Sequence, residues 1–104
     1  MLIYGIDPGF TGAIALYWPE TGKLEVHDMP VMKNPKACAA CKLPVKFVQP
    51  ASWKKHFGLN RDKGLSRSLA TQRFPEYAKL FARAKDDGRA EAALLALFGQ
   101  ETLA

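Results

Sequence analysis

Residues Leu2 to Ile6 are an uninterrupted apolar run that ends on a carboxylate, Asp7, and is followed at once by Pro8-Gly9. A short apolar run holding Ile and Tyr and bounded by a turn signal reads as a strand buried in the middle of a sheet. An acid at the end of such a strand is costly unless it has a partner or a use. The turn residues Pro8-Gly9-Phe10-Thr11-Gly12 then return the chain, so Ala13 to Trp18, again apolar, is expected to pair antiparallel with the first strand.

Pro19-Glu20-Thr21-Gly22 makes the next turn, and Lys23 to Met29 alternates. Leu24 and Val26 fall on one face, with Lys23, Glu25 and His27 on the other, the pattern of a half-buried edge strand. These three strands form a meander. Residues 30 to 43 read as a loop, and Pro44 to Val48 offers one further short strand. The period then changes to that of helices. Pro50 to Phe57 is a short one opened by Pro, and Asp62 to Arg73 is a second, with Leu65 and Leu69 expected inward and Phe74-Pro75 closing it. Tyr77, Leu80, Phe81 and Ala84 have the spacing of an amphipathic helix, with Lys79 and Arg83 opposite. Gly88 to Phe98 is the last, striped by Ala90, Leu94, Leu97 and Phe98. The class is α/β, a meander plus one further strand with helices C-terminal to it, and 104 residues suit one domain over 1–104 with an economical core.

No stretch approaches the roughly 20 apolar residues of a spanning helix, and the first residues lack the basic flank and apolar run of an export signal. The expectation is a cytoplasmic protein with no membrane partner. Cys38 and Cys41 then default to reduced thiols. A lone Cys-x-x-Cys supplies half of a tetrahedral zinc site, and His27 and His56, isolated from it and from each other, do not complete one.

Charge is unevenly spread. Residues 42 to 85 hold eleven Lys/Arg against two acids, a block of +9 within a chain of net +5. The first 41 residues sum to −1 and residues 86 to 104 to −3. A basic block between acidic ends suits a polyanion held by its backbone while carboxylates act nearby. Asp87 and Glu91, four apart at the start of the last helix, project from one face in a row that continues into Leu94 and Phe98. Because Leu94 and Phe98 must be buried, that row is expected to point at the sheet, with both acids toward the strand end that bears Asp7. Gathered carboxylates call for a hard cation such as Mg²⁺, and two such ions about 3.5 to 4 Å apart can drive phosphodiester cleavage. The plainer alternative is that Asp86 or Asp87 caps a helix and Glu91 favours its amino end electrostatically.

Ile3-Tyr4-Gly5-Ile6-Asp7-Pro8-Gly9-Phe10-Thr11-Gly12 resembles the opening of RuvC-type Holliday junction resolvases, which have a ribonuclease-H-like fold. Pro50-Ala51-Ser52-Trp53-Lys54-Lys55, Gly58 and Asp62-Lys63 resemble a second stretch of that family, and Lys85-Asp86-Asp87-Gly88-Arg89-Ala90-Glu91-Ala92 resembles the C-terminal acidic motif of a phage or prophage branch. The resemblance implies a Mg²⁺-dependent endonuclease, with Mn²⁺ as a substitute, that acts on branched DNA in recombination and repair and works as a homodimer. It implies Asp7, Asp86, Asp87 and Glu91 as catalytic candidates, with Asp7, Asp87 and Glu91 as metal ligands. It implies DNA contact by Lys55 and Lys63, to which the basic block adds Lys54 and Arg67. The first motif is shared with actin-like ATPases, but that architecture needs two lobes around its nucleotide.

The chain departs from this family in one place. Between the third strand and Val45 the family carries a helix, a strand ending in a catalytic Glu, and another helix. Residues 30 to 43 are too few for these, since one strand-helix-strand unit takes about 30 residues. Glu25 or Asp28 is a substitute in principle, with nothing in the spacing to place either beside Asp7. The alternative function is therefore a remnant that grips DNA without cutting it.

Overall fold

A computed structural model describes residues 2–7, 12–28, 50–59 and 63–103 of the protein. Three strands, β1 (Ile3–Asp7), β2 (Ala13–Trp18) and β3 (Lys23–Asp28), form an antiparallel meander in that order. The register pairs Gly5 with Ala15 and Asp7 with Ala13, then Ala15 with Val26 and Ala13 with Asp28. Directly opposed residues share a face. One face therefore carries Ile3, Gly5 and Asp7, then Ala13, Ala15 and Tyr17, then Leu24, Val26 and Asp28. Ala13, Ala15, Tyr17 and Leu24 are buried, so this face looks into the core. The edge strand is covered where it would otherwise expose an amide, as the Leu24 N–H donates to the Tyr77 hydroxyl at 3.2 Å.

Three α-helices follow, α1 (Pro50–His56), α2 (Lys63–Arg73) and α3 (Asp87–Leu103). The longest, α3, lies against the sheet and also packs on α1 and α2. Ala90, Ala92, Ala93, Leu94 and Ala96 are all fully buried, so α3 is enclosed on more than one side. Its approach to β1 is exceptionally close. A Cβ on Gly5 would lie 2.1 Å from the Ala92 carbonyl oxygen and 2.6 Å from the Ala96 nitrogen. Only a residue without a side chain lets strand and helix backbones meet at this distance.

Three expectations about the helices are corrected. Leu65 is 38% exposed, and Ser66 and Ala70 take the buried positions of α2, with Leu69 beside them. The continuous helix expected through Tyr77, Leu80, Phe81 and Ala84 is two 3₁₀ segments, Pro75–Phe81 and Ala84–Asp86. Arg83 between them is extended (φ −97°, ψ 151°), which turns its N–H toward the Asp86 carboxylate at 2.9 Å. The carbonyls of Phe81 and Ala82, which a continuing helix would have used, accept from the Arg67 guanidinium at 3.5 and 3.2 Å. Pro75 opens the first segment without the N–H that would have tied it back to α2. The last helix is longer than expected, running over Asp87–Leu103, and in its final turn the Thr102 hydroxyl donates to the Phe98 carbonyl. The strand expected over Pro44 to Val48, the loop over 30 to 43, the turn after Asp7 and the Cys38-x-x-Cys41 pair lie outside the described residues. No helix among the described residues is long and apolar enough to cross a membrane.

Replacing Gly5 by Ala forces the backbones of β1 and α3 apart, and the expected loss is at least about 2 kcal/mol, toward the upper range for overpacked cores. Urea unfolding of the purified variant measures it. Unchanged stability would mean that strand and helix do not approach as closely as described.

Candidate functional site

The contacts of β1 fix where Asp7 stands. Ile3 lies beside Gly99, and Gly5 lies on Ala92 and Ala96, so β1 runs along α3 in the opposite direction. Two further strand residues, at about 3.3 Å each, correspond to about four helix residues at 1.5 Å each. The Asp7 end of β1 therefore lies toward the amino end of α3. On the same face of the sheet Ala13 follows, and then Asp28, two strand spacings or about 10 Å from Asp7. Asp28 is the residue that sequence reasoning left unplaced. The alternation of β3 puts it on the face of Leu24 and Val26, and only the register with β2 shows that this is also the face of Asp7.

The acidic row of α3 does not point at the sheet as expected. At about 3.6 residues per turn, Asp87, Glu91, Leu94 and Phe98 share one side of α3, and Arg89, Ala92 and Ala96 the other. The sheet takes the second side, through Gly5 on Ala92 and Ala96 and through Asp28 on Arg89. The first side meets α1 and α2, where the Phe98 ring lies edge-on to His56 with 5.2 Å between centroids. The reason is size: backbones meet only where small residues face each other, so the alanines and not the leucine row go to β1. Going round α3 from Arg89 past Ala92, the next positions are Gly88 and then Glu91. Glu91 is thus the helix acid nearest the flank of β1, and Asp87 lies one step further round.

Each helix carboxylate faces a cation. Lys54 Nζ is 3.8 Å from Glu91, and Arg67 Nε is 3.5 Å from Asp87. Arg67 Nε is buried without a hydrogen-bond partner, so its tie to Asp87 is a charge contact rather than a bond. Further along, the two oxygens of Glu101 accept from His56 at 2.6 Å and from Arg73. The His56 bond, with Arg73 beside it, holds the Glu101 carboxyl below its usual range. Asp86 is 2% exposed and accepts from Arg83 at its backbone N–H, Nε and Nη2, with Arg89 3.7 Å away. Burial pushes its pKa up, but the Arg83 bonds and both guanidinium charges outweigh this and hold it below the usual carboxylate value. Asp28 accepts two bonds from Arg89 at 2.7 and 2.9 Å, and these bonds depress its pKa.

Asp86 is the third residue of the 3₁₀ turn that leads into α3 and closes that turn back on the Arg83 N–H, rather than capping α3 itself. Asp87 and Glu91 lie at the same end of the molecule as Asp7. All of these donors are carboxylate oxygens, the chemistry that suits Mg²⁺ or Mn²⁺. In this arrangement no three His, Cys, Asp or Glu side chains among the described residues gather closely enough to hold an ion. Of the cations expected on DNA, Lys55 is exposed, Lys54 is shared with Glu91, Arg67 is committed to Phe81, Ala82 and Asp87, and Lys63 is the first residue of α2. No protein-family model matches the chain, and no curated protein matches it.

Depressed carboxylates stabilise the fold above their ordinary pKa values, about 3.9 to 4.3, and that stability is lost as pH falls through their lower folded values. Asp28, Asp86 and Glu101 all have this sign. Asp86→Asn is expected to lower stability at pH 7 by about 2 kcal/mol, as the buried charge-assisted bonds weaken, and to flatten the pH dependence below 4. Unfolding curves between pH 2 and 7 measure both; an unaltered profile would remove Asp86 from the turn's stabilisation.

Proposed function

We propose that the protein is a metal-dependent, structure-selective DNA endonuclease of the Holliday junction resolvase type, with a shortened ribonuclease-H-like fold. What supports this reading is the packing of β1 antiparallel along α3, with Ile3 beside Gly99 and Gly5 on Ala92 and Ala96, which directs the Asp7 end of the strand toward the end of the helix that bears Asp87 and Glu91. The resemblance of three motifs in order, and the basic helix beside these acids, supports it. Asp7, Asp87 and Glu91 would hold Mg²⁺ or Mn²⁺, which when bound supplies water activation and neutralises charge at the scissile phosphate. The chain's own part is positional. The β1 contact with α3 fixes Asp7 relative to the helix acids, while Lys54, Lys55 and Lys63 neutralise the DNA backbone on the α1 and α2 side. Action on the two equivalent strands of a four-way junction suits a homodimer.

A second reading, a DNA-binding remnant without cleavage, is favoured by the cations that already sit on Asp87 and Glu91. The shortness of residues 30 to 43 favours it too.

A labelled four-way junction and a matched linear duplex, incubated with the protein in Mg²⁺, in Mn²⁺ and in chelator, separate the two. Nuclease action is expected as metal-dependent cuts in the junction that Asp7→Asn abolishes. Junction binding without cuts in either metal would establish the remnant. Equal cleavage by wild type and Asp7→Asn would overturn the active-site assignment. Lys55→Ala is expected to weaken junction binding and to lower the slope of log affinity against log salt by about 0.9, the value of one phosphate contact. A slope that does not move would take Lys55 off the DNA.

A further inference from the structure

A chain of alternating charges ties the end of β3 to the turn that precedes α3. Arg89 of α3 donates to both oxygens of Asp28 at 2.7 and 2.9 Å, and its Nη1 is 3.7 Å from Asp86. Asp86 in turn accepts from Nε and Nη2 of Arg83 at 3.3 and 3.0 Å. Because Asp86 is buried, it holds the Arg83 guanidinium by one edge. The remaining nitrogen, Nη1, has no partner among the described residues, and the Arg83 side chain is 53% exposed. Lys85, two residues on, is also exposed and pairs with no acid among the described residues. The Asp28 carboxyl is depressed first by its Arg89 bonds and further by the charges of Arg83 and Lys85, which therefore stand near this end of β3.

We propose that Arg83 and Lys85 form a second contact surface for the DNA backbone, on the β3 side of α3 and separate from the cations of α1 and α2. This rests on the reading of DNA as the partner, which the nuclease and the remnant share. A guanidinium held at Nε and Nη2 by a buried carboxylate keeps Nη1 as a positioned donor, so a phosphate that binds it costs little further ordering. Asp28 and Asp86 are each answered by a guanidinium, and the charge left over on this flank is that of Lys85. Arg83 thus supplies direction, and Lys85 supplies excess charge.

Because Lys85 is exposed and unpaired, Lys85→Ala leaves the fold intact and reads the contact alone. It is expected to lower affinity for a labelled four-way junction about five- to tenfold at about 0.1 M salt, and to reduce the slope of log affinity against log salt by about 0.9. Arg83→Lys keeps the charge but cannot hold Asp86 at two atoms and offer a third to a phosphate, and is expected to weaken binding at least about threefold. Lys23, 59% exposed, stands at the other end of β3, about 16 Å from Asp28 along the strand. Lys23→Ala removes the same charge there and should leave the slope within about 0.3 of wild type.

Fluorescence anisotropy of the junction, in chelator so that no cleavage intervenes, gives each affinity, with Lys55→Ala as the reference for the α1 side. Weaker binding by Lys85→Ala and Arg83→Lys, with none of that loss in Lys23→Ala, supports the second surface. If Lys55→Ala weakens binding and Lys85→Ala does not, the second surface is wrong and the DNA reading stands. If Lys23→Ala and Lys85→Ala lower the slope alike, net charge alone is at work and the surface is overturned. If the wild-type protein does not bind the junction, the DNA reading falls and this inference falls with it.

Discussion

The close approach of β1 to α3 at Gly5 is the contact on which the rest of the described structure depends. It brings two backbones together over Ala92 and Ala96, which decides which side of α3 faces the sheet. That choice sends Leu94, Phe98, Asp87 and Glu91 toward α1 and α2, and leaves Arg89 to grip the end of β3 through Asp28. It also fixes the direction of β1 along the helix, and so the end of α3 toward which Asp7 lies. Apolar area drives the packing as in any small domain, but area alone does not choose between two buried faces of one helix. Size does.

The charge segregation of the sequence has a second use inside the fold. Asp87, Glu91 and Glu101 of α3 meet Arg67, Lys54, and His56 with Arg73, from α1 and α2. Part of the +9 block is thus spent on the acidic last helix before any partner is considered. These pairs are partly exposed, and each contributes modestly on its own. Together they lay a ladder of three contacts along the seam between α3 and the two shorter helices. The cations left to a polyanion are fewer than the sequence suggests, with Lys55 the clearest.

The meander was legible because its signals are local. Leu2 to Ile6, the turn residues, and the alternation of Leu24 and Val26 with Lys23, Glu25 and His27 each act within a few residues. Helices α1 and α2 were legible for the same reason. What could not be read is set by distant contacts. The break at Ala82 and Arg83 needs Arg67 on two carbonyls and Asp86 on the Arg83 amide. The direction of the Asp87 and Glu91 row needs Gly5, some eighty residues away in the sequence. A helix buried on both sides has no polar face to betray its orientation, so its larger apolar side chains give a false lead. Asp28 was named as a substitute acid but could not be placed, because sharing a face with Asp7 is a property of two successive strand registers, not of any spacing.

The proposed site rests on Asp7 and the amino end of α3 acting as one unit, and Mn²⁺ can report on this directly through the line broadening of nearby amide signals. The expected result is selective loss of signals from residues 5–7 and 87–92 at low Mn²⁺, abolished in Asp7→Asn, with Gly22 and the hairpin around it unaffected. Broadening that spreads evenly over the protein, or that persists unchanged in Asp7→Asn, would contradict a shared site.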